Sequence, residues 1–476
     1  MSLSKNALRG FIWSFLQQFS NQLITFSVQL ILARILLPSE FGLIGMLTVF
    51  IGIGTALFEG GMTSSLIRIS TVDSKDYSTV FFFNFGVSIF IYLLFFLLAP
   101  YIALFYRQPM LTDIARVYGL SFVFLALGTV QNTILTKEMK FKKQTMITFP
   151  ALVIGSVVGV VLANYDYGVW SLVYSTLTTN ILTSIFLWFS SDWQPQFIFD
   201  ADKFKLHFHF GYKMTLSSLL DTIFTNIYQI IIGRFYSPVL VGYYTRANSL
   251  MMLPVGNVSG ALNKVVFPLF SKVQDDIPAL RAAYKKIMLV VLFVITPIIV
   301  LMALLANQLV VFLFTEKWLP IVPIFQIICF SGILYPLHMY NLLILQVKGR
   351  SDLFLKLEII KKVILVGIIV ISIFYGFTSL LFGYVIASIT ALFINTYYAG
   401  TMIDYSMKQQ LLDILPIFLI SICMGILVFF VNSNLIDYNN ISRLIISSSA
   451  GGIIYIFLAF IFKFQSISDI RNIIRK

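Results

Sequence analysis

The chain has 476 residues, 59% of them hydrophobic and only 11% charged, with 33 Lys and Arg against 20 Asp and Glu for a net charge of +13. A soluble domain carries roughly 25% charged residues, and soluble cores cannot hide this much apolar surface, so the composition predicts an all-α, polytopic membrane protein. Two Cys and three His exclude a disulfide framework and a His-rich metal site, and in a membrane protein the basic surplus points to cytoplasmic loops rather than nucleic acid.

At about 20 apolar residues per crossing, the chain reads as about 14 transmembrane helices: 11–33, 41–66, 79–104, 114–136, 147–165, 168–190, 212–235, 241–268, 287–313, 321–347, 361–375, 378–401, 413–431 and 441–463. Lys5 and Arg9 precede the first span without a small-residue cleavage site, which predicts a retained signal-anchor. Span one carries Ser14, Gln18, Asn21, Gln22, Thr25 and Gln29 on one helical face. Unpaired polar groups against lipid cost several kcal/mol, so this stripe is expected to line a water-filled cavity and contact cargo through Gln18, Gln22, Thr25 and Gln29. Glu59 lies in the inner half of span two, where an ionisable residue is a candidate ion site by default.

With the N-terminus inside, inner segments hold 25 of the 33 Lys and Arg, including Lys137, Lys140, Lys142 and Lys143. The asymmetry predicts both termini in the cytoplasm. Residues 191–211 alternate aromatic and polar side chains, as an interfacial strip does. His207 and His209 are expected to belong to that strip rather than to a metal pair. Span seven repeats the polar stripe with Ser218, Asp221, Thr222, Thr225 and Gln229; Asp221, like Glu59, is an ion-coupling candidate. Arg246 and Lys264, deeper in span eight, are candidates to hold an anion. His338 in span ten reads as a satisfied buried histidine, and Pro254, Pro297, Pro323 and Pro336 as kinks or hinges. No phosphate-gripping loop, metal-ligand spacing or nucleophile motif appears, so neither an enzyme nor a bound cofactor is expected, apart from a coupling Na+ or H+.

An internal repeat at an offset of 200 residues organises these elements: Gln29, Arg34, Pro38 and Gly42 recur as Gln229, Arg234, Pro238 and Gly242, with Thr25 matching Thr225 and Gly60 matching Gly260. Six spans separate the copies, so the repeats are parallel. This predicts an N-terminal lobe over 1–190, a cytoplasmic linker over 191–211, a C-terminal lobe over 212–401, and an appended pair of spans with a tail over 402–476.

Ala33 to Gly42, Asp76-Tyr77-Ser78-Thr79-Val80-Phe81, Trp170 to Val173, Gly233 to Phe235 with Gly242 to Ala247, Val266 to Ser271, Glu316-Lys317-Trp318 and Lys348-Gly349-Arg350 together resemble bacterial polysaccharide-export flippases. The resemblance is to the lipopolysaccharide and exopolysaccharide branch of the multidrug, oligosaccharidyl-lipid and polysaccharide exporter superfamily, and to colanic-acid and teichuronic-acid transporters in particular. It implies two six-helix lobes in a V-shape around a central cavity, alternating access in the bacterial inner membrane, and a polyprenyl-diphosphate-linked oligosaccharide as cargo. It also implies ion-gradient coupling, with membrane lipids, a polysaccharide polymerase and assembly proteins as partners. Multidrug efflux is the nearest rival function; a polysaccharide polymerase or ligase is disfavoured by the short outer loops.

Overall fold

The computed structural model describes residues 22–59 and 61–464; the side chains of 260–265 also lie outside the description. Every regular element among the described residues is helical. Among them, ten helices are long and apolar enough to cross a membrane, and large apolar side chains such as Phe90, Leu97, Phe457 and Phe460 are exposed along them, as a lipid-facing surface requires. The expected spans short of that criterion include seven and eight, which are more polar, and eleven, whose helix carries Lys356, Glu358, Lys361 and Lys362; span one is described only over Gln22–Ile35. The protein is a multi-pass, all-α membrane protein.

Contacts divide it into two compact units, residues 1–242 and 243–476. The first contains α1 (Gln22–Ile35), α2 (Pro38–Glu59), α3 (Met62–Arg68), α4 (Ser74–Tyr106), α5 (Leu111–Tyr118), α6 (Ser121–Lys137), α7 (Phe141–Asn164) and α8 (Val169–Ser190). It continues through α9 (Ala201–Thr225), α10 (Ile227–Phe235) and the start of α11 (Pro238–Lys272). Expected span two, 41–66, is two helices: Gly61 takes a left-handed φ of 61° that ends the run after Glu59. The same missing side chain leaves room for the backbone of Gly211, which a Cβ on Gly61 would strike.

Residues 191–211, read as a linker, divide in two. The stretch 191–200 is irregular, whereas 201–211 already forms the first turns of α9, because the Asp200 carboxylate caps the amides of Asp202 and Lys203 at 3.0 and 3.1 Å. Expected span seven, 212–235, is likewise interrupted at Asn226, where α9 gives way to α10. The repeat assigns α9 and α10 to the second lobe, yet they pack on α2, α3 and α4 of the first unit. Duplicated sequence and packing unit therefore do not share a boundary.

The repeated Pro and Gly residues meet in space. A Cβ on Gly42 would strike the carbonyl of Pro238, and a Cβ on Gly242 would strike the carbonyl of Pro38. The N-terminus of α2 and that of α11 thus cross backbone to backbone, each motif supplying the glycine that admits the other's proline carbonyl. Elsewhere in the unit α7 and α8 use small residues in the same way: Gly155 and Gly159 face Ser175, whose hydroxyl donates to the Gly155 carbonyl at 2.8 Å.

The second unit holds the rest of α11 with α12 (Ile277–Leu304), α13 (Ala306–Phe314), α14 (Ile321–Val347), α15 (Ser351–Ile373), α16 (Phe377–Met402), α17 (Met407–Ser433) and α18 (Asn440–Ile461). A buried polar network ties four of these together. The Tyr284 hydroxyl bridges Asn341 Oδ1 at 2.8 Å and Gln410 Oε1 at 3.2 Å, and Asn341 Nδ2 donates to Thr396 at 3.1 Å. Gln410 lies on α17, so the appended pair is locked to α12, α14 and α16 rather than resting loosely on them. The backbone crossing is the least forgiving contact. Gly42→Val is expected to destabilise the protein by at least about 2 kcal/mol, measured as a loss of thermal midpoint in detergent, with Gly42→Ala intermediate.

Candidate functional site

The structure describes most, not all, of the candidate residues. Gln18 lies outside the described residues, as does the side chain of Lys264. Gln22 and Gln29 are half-buried and Thr25 is exposed. On α9, Ser218, Asp221 and Thr225 are exposed and Thr222 is half-buried, so this face forms an open polar surface. Gln229 on α10 is half-buried, with its Oε1 buried and without a hydrogen-bond partner among the described residues. Arg246 is buried and engaged. His338 fills the satisfied role expected of it, with Nε2 3.1 Å from the Ser388 hydroxyl and Nδ1 3.4 Å from the Asn395 amide.

Glu59 stands at a cavity of about 300 Å³ inside the first unit. Thr63 of α3, Thr129, Asn132, Thr133 and Thr136 of α6, Thr148 of α7, and Asn180 and Thr183 of α8 also line it. The hydrogen bonds give this chamber a direction. Thr129, Thr133, Thr136 and Thr148 each donate their hydroxyl to the carbonyl four residues back, at 2.7–3.0 Å. Their protons are committed, and only lone pairs are left to face inward. With the Glu59 carboxylate beside them, the lining is rich in acceptors and suits a guest that brings donors: a hydrated cation, a proton carried by water, or hydroxyl groups. Thr129, Asn132, Thr133 and Thr136 are not among the residues expected from sequence, although they follow the helical spacing that marks spans one and seven. The signal is present in span four, but diluted by the apolar residues around it.

A second polar cluster overturns the interfacial reading of His207. Its side chain is fully buried, with Nε2 3.0 Å from Asp76 Oδ1 and Nδ1 2.9 Å from the Ser65 hydroxyl. A carboxylate only accepts, so in the neutral ring Nε2 carries the proton and Nδ1 accepts from Ser65. Asp76 also accepts from Lys203 Nζ at 2.8 Å and from the Asp73 amide at 2.9 Å, the latter as half of the capping box that starts α4. Three further bonds stitch the preceding stretch to the same turns: Trp193 Nε1 to Ser74 at 3.3 Å, the Gln196 amide to Ser78 at 3.0 Å, and the Asp200 amide to Thr79 at 3.1 Å. Residues 193–207 are therefore a strap sewn onto the first turns of α4. No group of three or more His, Cys, Asp or Glu that could hold a metal occurs among the described residues.

Burial pushes the His207 imidazole below its ordinary value; Asp76 opposes that shift, and Lys203 and Lys137 add to it. A docked neutral ring binds fewer protons than a released one, so docking strengthens as pH rises toward about 6.5 and weakens below it. Amide protection over 193–207, the exchange rate corrected for its intrinsic pH dependence, is expected to fall on acidification from neutral pH, and that fall is expected to vanish in His207→Gln. Asp76→Asn removes the acceptor shared by Lys203 and His207 and is expected to cost about 1–3 kcal/mol, read as faster exchange at every pH.

Residues 31–323 match the model of a family described as polysaccharide biosynthesis protein. The lipopolysaccharide biosynthesis protein WzxC of Escherichia coli is 26% identical over 378 residues, covering 78% of this chain and 76% of its own. The succinoglycan biosynthesis transport protein ExoT of Rhizobium meliloti is 25% identical and covers 70% of this chain and 68% of its own. Among solved structures, lipid II flippase MurJ in an inward closed conformation shares the fold with a TM-score of 0.77 at 15% identity, covering 95% of this chain and 98% of that one. The chain belongs to the polysaccharide biosynthesis protein family.

Proposed function

We propose that this protein is a flippase that carries a polyprenyl-diphosphate-linked oligosaccharide, a repeat unit of a surface or exported glycan, from the inner to the outer leaflet. The observation that carries this reading is family membership combined with ten helices apolar enough to cross a membrane and the exposed polar side chains of α9. Moving one hydroxyl into hydrocarbon without a partner costs about 4–8 kcal/mol, and an oligosaccharide head brings many. Ser218, Asp221 and Thr225, exposed on α9, offer replacement hydrogen bonds. Gln18, Gln22, Thr25 and Gln29 of span one, with Thr222 and Gln229, extend that surface in our reading. Arg246 and Lys264 would neutralise the diphosphate.

The chain carries cargo and is not an enzyme: its relatives include a named transport protein. Multidrug efflux is not favoured, because the named relatives serve polysaccharide biosynthesis. We place the protein in the bacterial inner membrane with both termini cytoplasmic, on the Lys and Arg asymmetry, and assign coupling to a Na+ or H+ gradient through Asp221 and Glu59. A polysaccharide polymerase and assembly proteins are the partners this role calls for.

A deletion strain is expected to lose surface polysaccharide and accumulate lipid-linked units facing the cytoplasm. Intact polysaccharide with altered drug susceptibility would instead favour efflux. Asp221→Asn is expected to cut export about tenfold, equivalent to about 1.4 kcal/mol of lost drive; full export by that variant would remove Asp221 from coupling, and the same measurement on Glu59→Gln decides the second acid.

A further inference from the structure

The lysine-rich end of the first unit holds another cavity, of about 240 Å³, where the ends of α6, α7 and α8 meet the start of the strap. Gln131 lines it. This side chain is only 1% exposed, and neither its Nε2 nor its Oε1 has a partner among the described residues. The next residue shows that the region can satisfy an amide, since Asn132 Oδ1 accepts from Gln144. A buried amide with donor and acceptor both unmet is unfavourable unless something else meets them.

The rest of the lining defines what that something is. Lys143, Ser190 and Asp192 reach the same cavity, with Asp192 exposed and drawn electrostatically toward Lys140. Lys140 and Glu138 also contribute, already paired at 2.7 Å. Two cations face two carboxylates, so the charge balances. A diphosphate would meet Asp192 and Glu138, and a metal cation would meet two ammonium groups; neither suits the site. Trp193 closes one side with its N–H spent on Ser74, so it presents apolar ring to the cavity. An amide, a hydroxyl, an ammonium and a carboxylate around an aromatic wall suit a ring of hydroxyl groups with one C–H face. The volume equals that of about eight water molecules at about 30 Å³ each, room for a single pyranose.

We propose that this cavity is a recognition subsite for one neutral sugar of the carried head, with the Gln131 amide turning toward its hydroxyls to give and accept hydrogen bonds, Asp192 accepting from them, Lys143 donating to them, and Trp193 supporting its apolar face. The proposal rests on the saccharide-flippase reading and adds a specificity element on a single unit of the protein.

The test titrates the full-length protein in detergent with a panel of neutral monosaccharides and methyl glycosides, and separately with inorganic diphosphate and phosphoethanolamine, following intrinsic tryptophan fluorescence. At least one neutral sugar is expected to bind saturably. Gln131→Leu is expected to weaken it about tenfold, the loss of one or two neutral hydrogen bonds, while raising the thermal midpoint because an unmet buried amide has gone. Lys143→Met, on the half-exposed rim, supplies a second variant that leaves packing intact and is also expected to weaken binding. No saturable neutral sugar, unchanged affinity in both variants, or displacement of the sugar by diphosphate or phosphoethanolamine would overturn the subsite. The deletion strain judges the flippase reading independently: inward-facing lipid-linked units beside a negative titration sink the subsite alone, whereas intact surface polysaccharide sinks the parent reading whatever the titration gives.

Discussion

Every polar group shut away from water needs a partner, because an apolar surrounding offers none and an unmet donor or acceptor costs several kcal/mol. This protein answers that constraint in three ways. Some groups close on each other, as Tyr284, Asn341, Thr396 and Gln410 do at the junction of four helices. Others turn back on their own helix, as the threonines of α6 do. A third set stays open: the exposed stripe of α9, the inward lone pairs around Glu59, and the orphaned amide of Gln131. The third set is where a cargo or an ion could be met.

The segments that carry the family resemblance are mostly structural. Pro38, Gly42, Pro238 and Gly242 admit a backbone crossing that a single Cβ would block. Asp76, Ser78 and Thr79 receive the strap. Trp318 is fully buried against Tyr243 and Phe314, and Gly349 takes the left-handed φ of 68° that ends α14. A family that changes its cargo while keeping its scaffold would share such residues. It is consistent that the exposed polar residues of α9, and those lining the Glu59 chamber on α6 and α8, lie outside the motifs.

The strap also explains why α9 belongs with the first unit. His207 and Lys203 reach Asp76 from opposite ends of one helical turn, and Ser65 holds the far side of the imidazole. The segment read as an interfacial strip is fixed on the first unit by His207 and Lys203. Its grip depends on the proton count of one side chain.

Composition and periodicity alone determined the fold class, the approximate spans and the repeat, because those follow from solvent and from local spacing along the chain. They also marked the polar faces of spans one and seven, since a stripe along a helix is a one-dimensional pattern. What they could not reach was which distant side chains converge. The break after Glu59 needed the approach of Gly211; the burial of His207 needed Asp76 from another helix; the cavities needed several helices at once. Those pairings are set by packing, in which residues far apart in sequence compete for the same space and the same hydrogen bonds, and only tertiary structure decides the winner.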